Sequence, residues 1–224
     1  MRRDLLTAFI SVIVFTLLLG FGYPMLVTGV SQVVFKGKAD GSLIKRNGVV
    51  VGSALIGQQF YEPVLGANGR PKTVKGVVQT QPDPRYFQTR PSATVPADNA
   101  AGSSFSNLGP NDKATLTAFR GYIQAYLALN RAPDGAPYDR AVTSAAQIPV
   151  DAVSDSASSV DPDISLANAD IQVYRIAAVR RLSLATLHGL IGRYTNGNSL
   201  GFMGEPGVDV LELNLALDRL TGSR

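Results

Sequence analysis

LLTAFISVIVFTLLLGFGYPMLVTGVSQVVF, residues 5–35, carries no charge; Asp4 precedes it and Lys36 ends it. A bilayer core about 30 Å thick is crossed by roughly 20 apolar residues in helical form, and residues 5–30 suffice even if Ser31 already lies at the surface. The stretch predicts a single transmembrane helix over residues 1–31, followed by one mixed α+β soluble domain over residues 32–224. Gly20, Gly22 and Pro24 follow its densest part, where they allow a bend or close contact with neighbouring helices.

A secretory signal is the competing reading. Arg2 and Arg3 form a basic start, and Val27 with Gly29 loosely mimic a cleavage site. The apolar run is longer than the roughly 7 to 15 residues of a secretory core, and no lipidation cysteine follows, which favours an uncleaved anchor. Orientation stays open on charge alone. Lys36, Lys38, Lys45 and Arg46 outnumber Arg2 and Arg3, yet long domains cross largely regardless of charge and a short basic N-terminus tends to stay inside.

The 224 residues include no cysteine, no tryptophan and one histidine, with a formal net charge of +4. Disulfides, thiol catalysis and cysteine-ligated metals are excluded together. The basic residues are scattered, without the block and interleaved aromatics of a nucleic-acid groove, so the chain is read as binding no nucleic acid.

Beyond the anchor, Asn47-Gly48 between LI and VVV predicts a β-hairpin. Residues 61–96 read as irregular, with prolines at 63, 71, 82, 84, 91 and 96. Asn111 is the expected cap of a helix carrying Leu116, Phe119, Ile123, Tyr126 and Leu127 at helical spacing, and residues 132–159 read as loop. Ser165 caps a helix to about Arg181 with an apolar stripe of Leu166, Ala169, Val173 and Ile176; Ser183 caps another with Leu184, Leu187 and Ile191 inward. Residues 208–220 alternate like a strand before turning helical. No internal repeat is present.

Sites of chemistry are few. His188 alone forbids a histidine triad or a two-histidine metal site, and beside Leu184, Leu187 and Ile191 it reads as a core or boundary residue. Asp155, Asp161, Asp163 and Asp170 could serve an anchored hydrolase, but acids around a helix start are explained more simply by capping and the helix dipole. GANGRPKT, residues 66–73, approaches a phosphate loop, yet Pro71 stands at the second glycine; it offers no N–H and no positive φ. It reads as a surface loop. Catalytic and metal-binding residues are therefore read as none.

Several blocks together resemble the C subunit of the Kdp-type potassium-transporting ATPase, the KdpC family: GSLI (41–44), GSALIGQQF (52–60), YFQTRPSA (86–93), SNLGP (106–110), PVD (149–151), SASSVDPDIS (156–165), QVYRIA (172–177) and GFMGEPGVDVLELNLALD (201–218). They keep their order over nearly the whole chain, which is far more specific than any one of them.

The resemblance implies a non-catalytic accessory subunit of a high-affinity, ATP-driven potassium uptake complex. Its partners would be a potassium-selective channel-like subunit, a P-type ATPase subunit, a small single-span subunit and membrane lipid. The family is described as a catalytic chaperone that raises the ATP affinity of the pump subunit. On that view Gln172, with Arg175 three residues on, would contact ATP held through the complex, no cofactor being bound permanently. Three residues apart, the two share a helix face expected to point away from the Leu166, Ala169, Val173 stripe. The family is equally described with its domain on the outer, periplasmic face of the inner membrane and its N-terminus cytoplasmic. ATP lies on the other side, so the alternative is an external cap that stabilises the complex or influences potassium entry at the channel-like subunit, without nucleotide contact.

The chain departs from the family pattern. Phe105 replaces a glycine, Ser159-Val160 replaces Gly-Leu, and Asp209 replaces an asparagine. Ordinary φ values are expected where glycine is lost. Residues 61–85 form a longer connection than usual, so no inherited role reaches Arg70 or Lys72. Arg90-Pro91-Ser92, Ser106-Asn107-Leu108 and Asn214 are read as binding surfaces or as partners for loop and strand backbone, the latter favoured.

Overall fold

The apolar stretch forms one helix, α1 (Arg2–Val34), 33 residues long and without a buried residue in its apolar window. At about 1.5 Å per residue, that is long and apolar enough to cross a membrane. The computed structural model describes residues 2–94, 97–104, 107–131, 144–198 and 200–222. Within α1 the segment Thr16–Gly22 is wound as a π-helix, and the Tyr23 N–H reaches back to the Leu18 carbonyl. Pro24 explains the location. It has no N–H and would crowd the carbonyl of residue 20 in a regular helix, and the wider π turn just before it relieves that conflict.

The chain divides into two compact units, Met1–Ser53 and Ala54–Arg224. The first contains α1, a helical turn at Lys36–Ala39, and the antiparallel hairpin β1 (Leu43–Arg46) and β2 (Val49–Ser53). Its turn is the expected one: Asn47 and Gly48 both take positive φ, 51° and 81°, the geometry that lets a two-residue loop follow the strand twist.

The second unit begins with an arm that the proline count hid. Residues 61–82 are not irregular: β3 (Tyr61–Pro63) pairs with β6 (Thr80–Pro82), and β4 (Thr73–Val74) pairs with β5 (Val77–Val78). Pro63 and Pro82 are tolerated because each ladder has only two strands, leaving the proline nitrogen on an open edge. Lys75 and Gly76, with φ of 52° and 80°, make the inner turn. The GANGRPKT stretch is an exposed bend on this arm, closed by a Gly66 N–H to Arg70 carbonyl bond of 2.8 Å and by Asn68 accepting from the Arg70 N–H.

Helix α2 (Lys113–Leu129) is capped by Asp112, whose side chain accepts from the Ala114 N–H, one residue beyond the expected Asn111. Short 3-10 turns at Ala145–Gln147 and Val150–Ala152 follow; residues 132–143 of the expected loop, like Phe105 and Ser106 of the SNLGP region, lie outside the described residues. Then come β7 (Asp163–Ile164), α3 (Leu166–Arg180), α4 (Leu184–Arg193), β8 (Thr195–Asn196), β9 (Gly207–Asp209) and α5 (Val210–Thr221). Ser165 and Ser183 cap α3 and α4 as expected, each accepting from the N–H three residues on. The alternation read over 208–220 stops at once: Asp209 caps α5 by accepting from the Glu212 N–H, so Val210 already begins a helix.

β9 is the central strand of an antiparallel sheet ordered β7-β9-β8. Against it pack Ala169, Val173 and Ile176 of α3, Leu187, Leu190 and Ile191 of α4, and Leu213, Ala216 and Leu217 of α5, together with Phe87. His188 is outside this core. It is on the exposed flank of α4, 3.3 Å from Asp170 of α3, at the rim of the contact whose interior Leu187 fills.

Candidate functional site

Residues 86–88 of the YFQTRPSA block lie outside any strand, and buried backbone amides need partners. Side chains supply them. Gln172 Oε1 accepts from the Gln88 N–H at 2.8 Å and Gln172 Nε2 donates to the Gln88 carbonyl at 3.1 Å, so one amide side chain imitates a neighbouring strand. Asn214 does the same one residue earlier, accepting from the Phe87 N–H at 3.0 Å and donating to its carbonyl at 2.9 Å. Arg175 donates to the Tyr86 carbonyl at 3.1 Å and to Gln172 Oε1 at 2.7 Å.

The clamp extends outward on both sides. Asn168 accepts from Gln172 at 3.0 Å and from the Tyr126 hydroxyl at 2.9 Å, tying α2 to α3. Asn168 and Ser165 also donate to Asp151, which fixes the start of α3. At the other end the Tyr86 ring stacks on Phe60 with centroids 5.0 Å apart, and the Arg180 guanidinium lies 4.5 Å above it. Its hydroxyl donates to Asp218, which also pairs with Arg180 at 3.0 Å.

Gln172 and Arg175 are therefore not on an open helix face. Their exposures are 1% and 0%, because the 84–88 segment covers the flank of α3 that adjoins the apolar stripe. Asn214 is likewise buried and pins backbone. The signal was available: an amide among buried apolar helix positions must find a partner, and an extended segment without a strand beside it needs one.

The remaining polar residues are also accounted for. Arg90 pairs with Asp161 at 3.0 Å and donates to the Ser154 and Asp155 carbonyls. Ser92 donates to the Ser159 carbonyl at 2.6 Å and accepts from the Asp98 N–H. The four aspartates considered for a hydrolase hold structure instead: Asp161 pairs with Arg90 and accepts from the Asp163 N–H, Asp163 opposes Asp209 across β7 and β9, Asp155 gives Arg90 its carbonyl, and Asp170 faces His188. Among the described residues no group of three or more histidine, aspartate or glutamate side chains could hold a metal ion.

Three carboxyls carry raised proton affinity, Asp98, Asp209 and Asp163, the last through burial and the Asp161 charge. Burial pushes Asp98 up to about 6, with hydrogen bonds from Gln59, Thr89 and Ser92 pulling it back. Burial also pushes Asp209 up to about 6; the Glu212 N–H opposes this, while the Glu212 and Asp163 charges add to it. Beside Asp98 is a cavity of about 170 Å³, lined on one side by Gln88 to Ser92 and on the other by Tyr122, Ala125, Tyr126 and Leu129 of α2.

The blocks brought together here belong to one family pattern. The family model for KdpC, "K+-transporting ATPase, c chain", matches residues 5–219. A potassium-transporting ATPase KdpC subunit of Methylococcus capsulatus is 44% identical over 214 residues, covering 95% of this chain and 96% of that one. Proteins of the same name from Mycobacterium bovis and Koribacter versatilis are 41% and 38% identical, with 98% and 97% of this chain and 100% and 95% of theirs covered. By a match that runs from the membrane helix to the last turn of α5, the chain belongs to the KdpC family.

Proposed function

We propose that this chain is an accessory subunit of a potassium-transporting ATPase complex, anchored by α1, with its second unit on the outer face of the membrane supporting assembly or potassium uptake. The observation that carries the reading is the burial of Gln172 and Arg175 in the clamp on residues 86–88. A group that touches nucleotide needs an accessible hydrogen-bonding edge, and these edges are occupied by the chain's own backbone. The partners are a channel-like subunit, a P-type ATPase subunit and a small single-span subunit.

The second reading keeps the family's catalytic-chaperone role, with ATP contacted through Gln172 and Arg175. It requires segment 84–88 to leave α3, exposing Phe87 from the core. Single cysteines at Ser103 and Asn196 of this cysteine-free chain, both exposed, and a membrane-impermeant thiol reagent distinguish the two. Labelling of intact cells with a permeable outer envelope is the expected result. Protection until the cells are broken would overturn the outside placement. Gln172→Ala then separates the roles: the clamp reading expects reduced subunit stability with an unchanged KM for ATP in the complex that still assembles, whereas a raised KM with normal assembly would restore nucleotide contact.

A further inference from the structure

The cavity beside the YFQTRPSA block has three tyrosines in its walls, Tyr61 from β3 and Tyr122 and Tyr126 from α2, along with Pro82, Pro91 and Leu129. Its volume, about 170 Å³, exceeds the roughly 150 Å³ that accepts a benzene ring, so it admits an aliphatic chain of a few carbons. Asp98 does not itself line it but lies directly behind Thr89 and Ser92, which do. The Asp98 carboxylate accepts from the Thr89 hydroxyl and its N–H donates to Ser92, while Gln59 donates to Thr89; Gln59, Thr89 and Ser92 all line the cavity.

Asp98 has no ion-pair partner among the described residues. Arg90, the one cationic group among the described residues that line the cavity, is held by Asp161 and by two carbonyls. Burial raises the pKa of Tyr61, with smaller contributions from Asp98 and Tyr122, and burial followed by the Asp155 charge raises that of Tyr122. A half-buried carboxylate next to aromatic faces favours a cation with an apolar body, since ring faces and carboxylate attract charge while the walls exclude water.

We propose that this cavity binds an alkylammonium group, supplied either as a free organic amine or as a lysine side chain of a neighbouring subunit. The ammonium would sit toward Asp98 and the rings of Tyr61 and Tyr122, with the aliphatic stem against Pro82, Pro91 and Leu129. The free-amine arm needs only this chain, so its outcome is independent of complex membership; the lysine arm rests on the proposed assembly.

The chain lacks tryptophan, so tyrosine fluorescence and titration calorimetry read the site directly on the full-length protein in detergent. n-Butylammonium chloride is the probe, with n-butanol and potassium chloride as neutral and inorganic controls. Saturable binding of butylammonium, weakened about 10-fold or more in Asp98→Asn and in Tyr61→Leu, identifies the free-amine source. Asparagine suits the positive φ of residue 98, 56°, so the first variant keeps its backbone, and the second changes a partly exposed ring. If butylammonium does not saturate, carbodiimide treatment of the assembled complex that joins Asp98 to a lysine of another subunit, and fails in Asp98→Asn, identifies the lysine source. Equal binding of butanol, insensitivity to both variants, or neither binding nor cross-link overturns the proposal.

Discussion

Ser159 takes φ of 57° while its side chain is buried and its hydroxyl has no hydrogen-bond partner among the described residues. The expectation that a serine in place of glycine brings an ordinary φ is wrong here. The backbone keeps its left-handed turn because the Ser159 carbonyl accepts from Ser92, and the neighbouring Val160 carbonyl accepts from the Gly57 N–H at 2.8 Å. Gly57 is equally constrained, since an added Cβ would fall 2.6 Å from the Asp161 carbonyl oxygen. A left-handed non-glycine residue costs roughly 1 to 2 kcal/mol, against about 0.5 to 1 for glycine's extra freedom when unfolded. Ser159→Gly is therefore expected to stabilise the protein by about 0.5 to 1 kcal/mol, raising Tm by about 2 °C in a thermal melt. An unchanged or lower Tm would show that the turn is not strained.

At the scale of the element, α5 depends on its first residue. Asp209 closes β9, opposes Asp163 across the ladder, and caps α5, with Glu212 three residues on in the pattern of a capping box. D-x-x-E at residues 209–212 is the local signal of this helix start, and the strand-like alternation read over 208–220 does not take it into account. Burial holds the Asp209 carboxyl up at about 6, above its usual value, and Asp98 is held at about 6 likewise. The folded state then binds more protons than the unfolded one between about pH 4 and 6, so stability declines as pH rises through this window. Asp83 works oppositely: burial would raise its pKa, but Arg85's hydrogen bonds more than offset this and hold it low, so its stabilisation fades only at more acid pH. Tm is expected to be higher near pH 5 than near pH 7.5. Asp209→Asn, which preserves the cap and restores the residue of the family pattern, should flatten the profile. A slope unaltered by that substitution would assign the proton uptake elsewhere.

At the scale of the molecule, the membrane helix and the second unit carry different kinds of information. The apolar window of α1 contains no buried residue, and its small residues, Gly20 and Gly22, lie in the π segment. An added Cβ there meets nothing closer than 3.5 Å, at the Leu17 carbonyl. Gly20→Leu and Gly22→Leu are therefore compatible with the helix itself and with insertion. Their effect is expected on association with other helices, where small residues allow close approach: less of the pump subunits should copurify, at unchanged membrane content. Full copurification of both variants would remove this face from the assembly.

The sequence by itself determined the membrane helix, the Asn47-Gly48 hairpin, the serine caps of α3 and α4, and the family. Each follows from local composition, from a turn that only certain residues adopt, or from ordered blocks compared one by one. The β arm over 61–82, the exposed position of His188, and the buried clamp of Gln172, Arg175 and Asn214 were decided only by tertiary structure. Spacing states which residues share a helix face, but not what covers that face. Here the covering segment is some 84 residues away in sequence, and its unpaired backbone turns polar residues that read as surface into the interior.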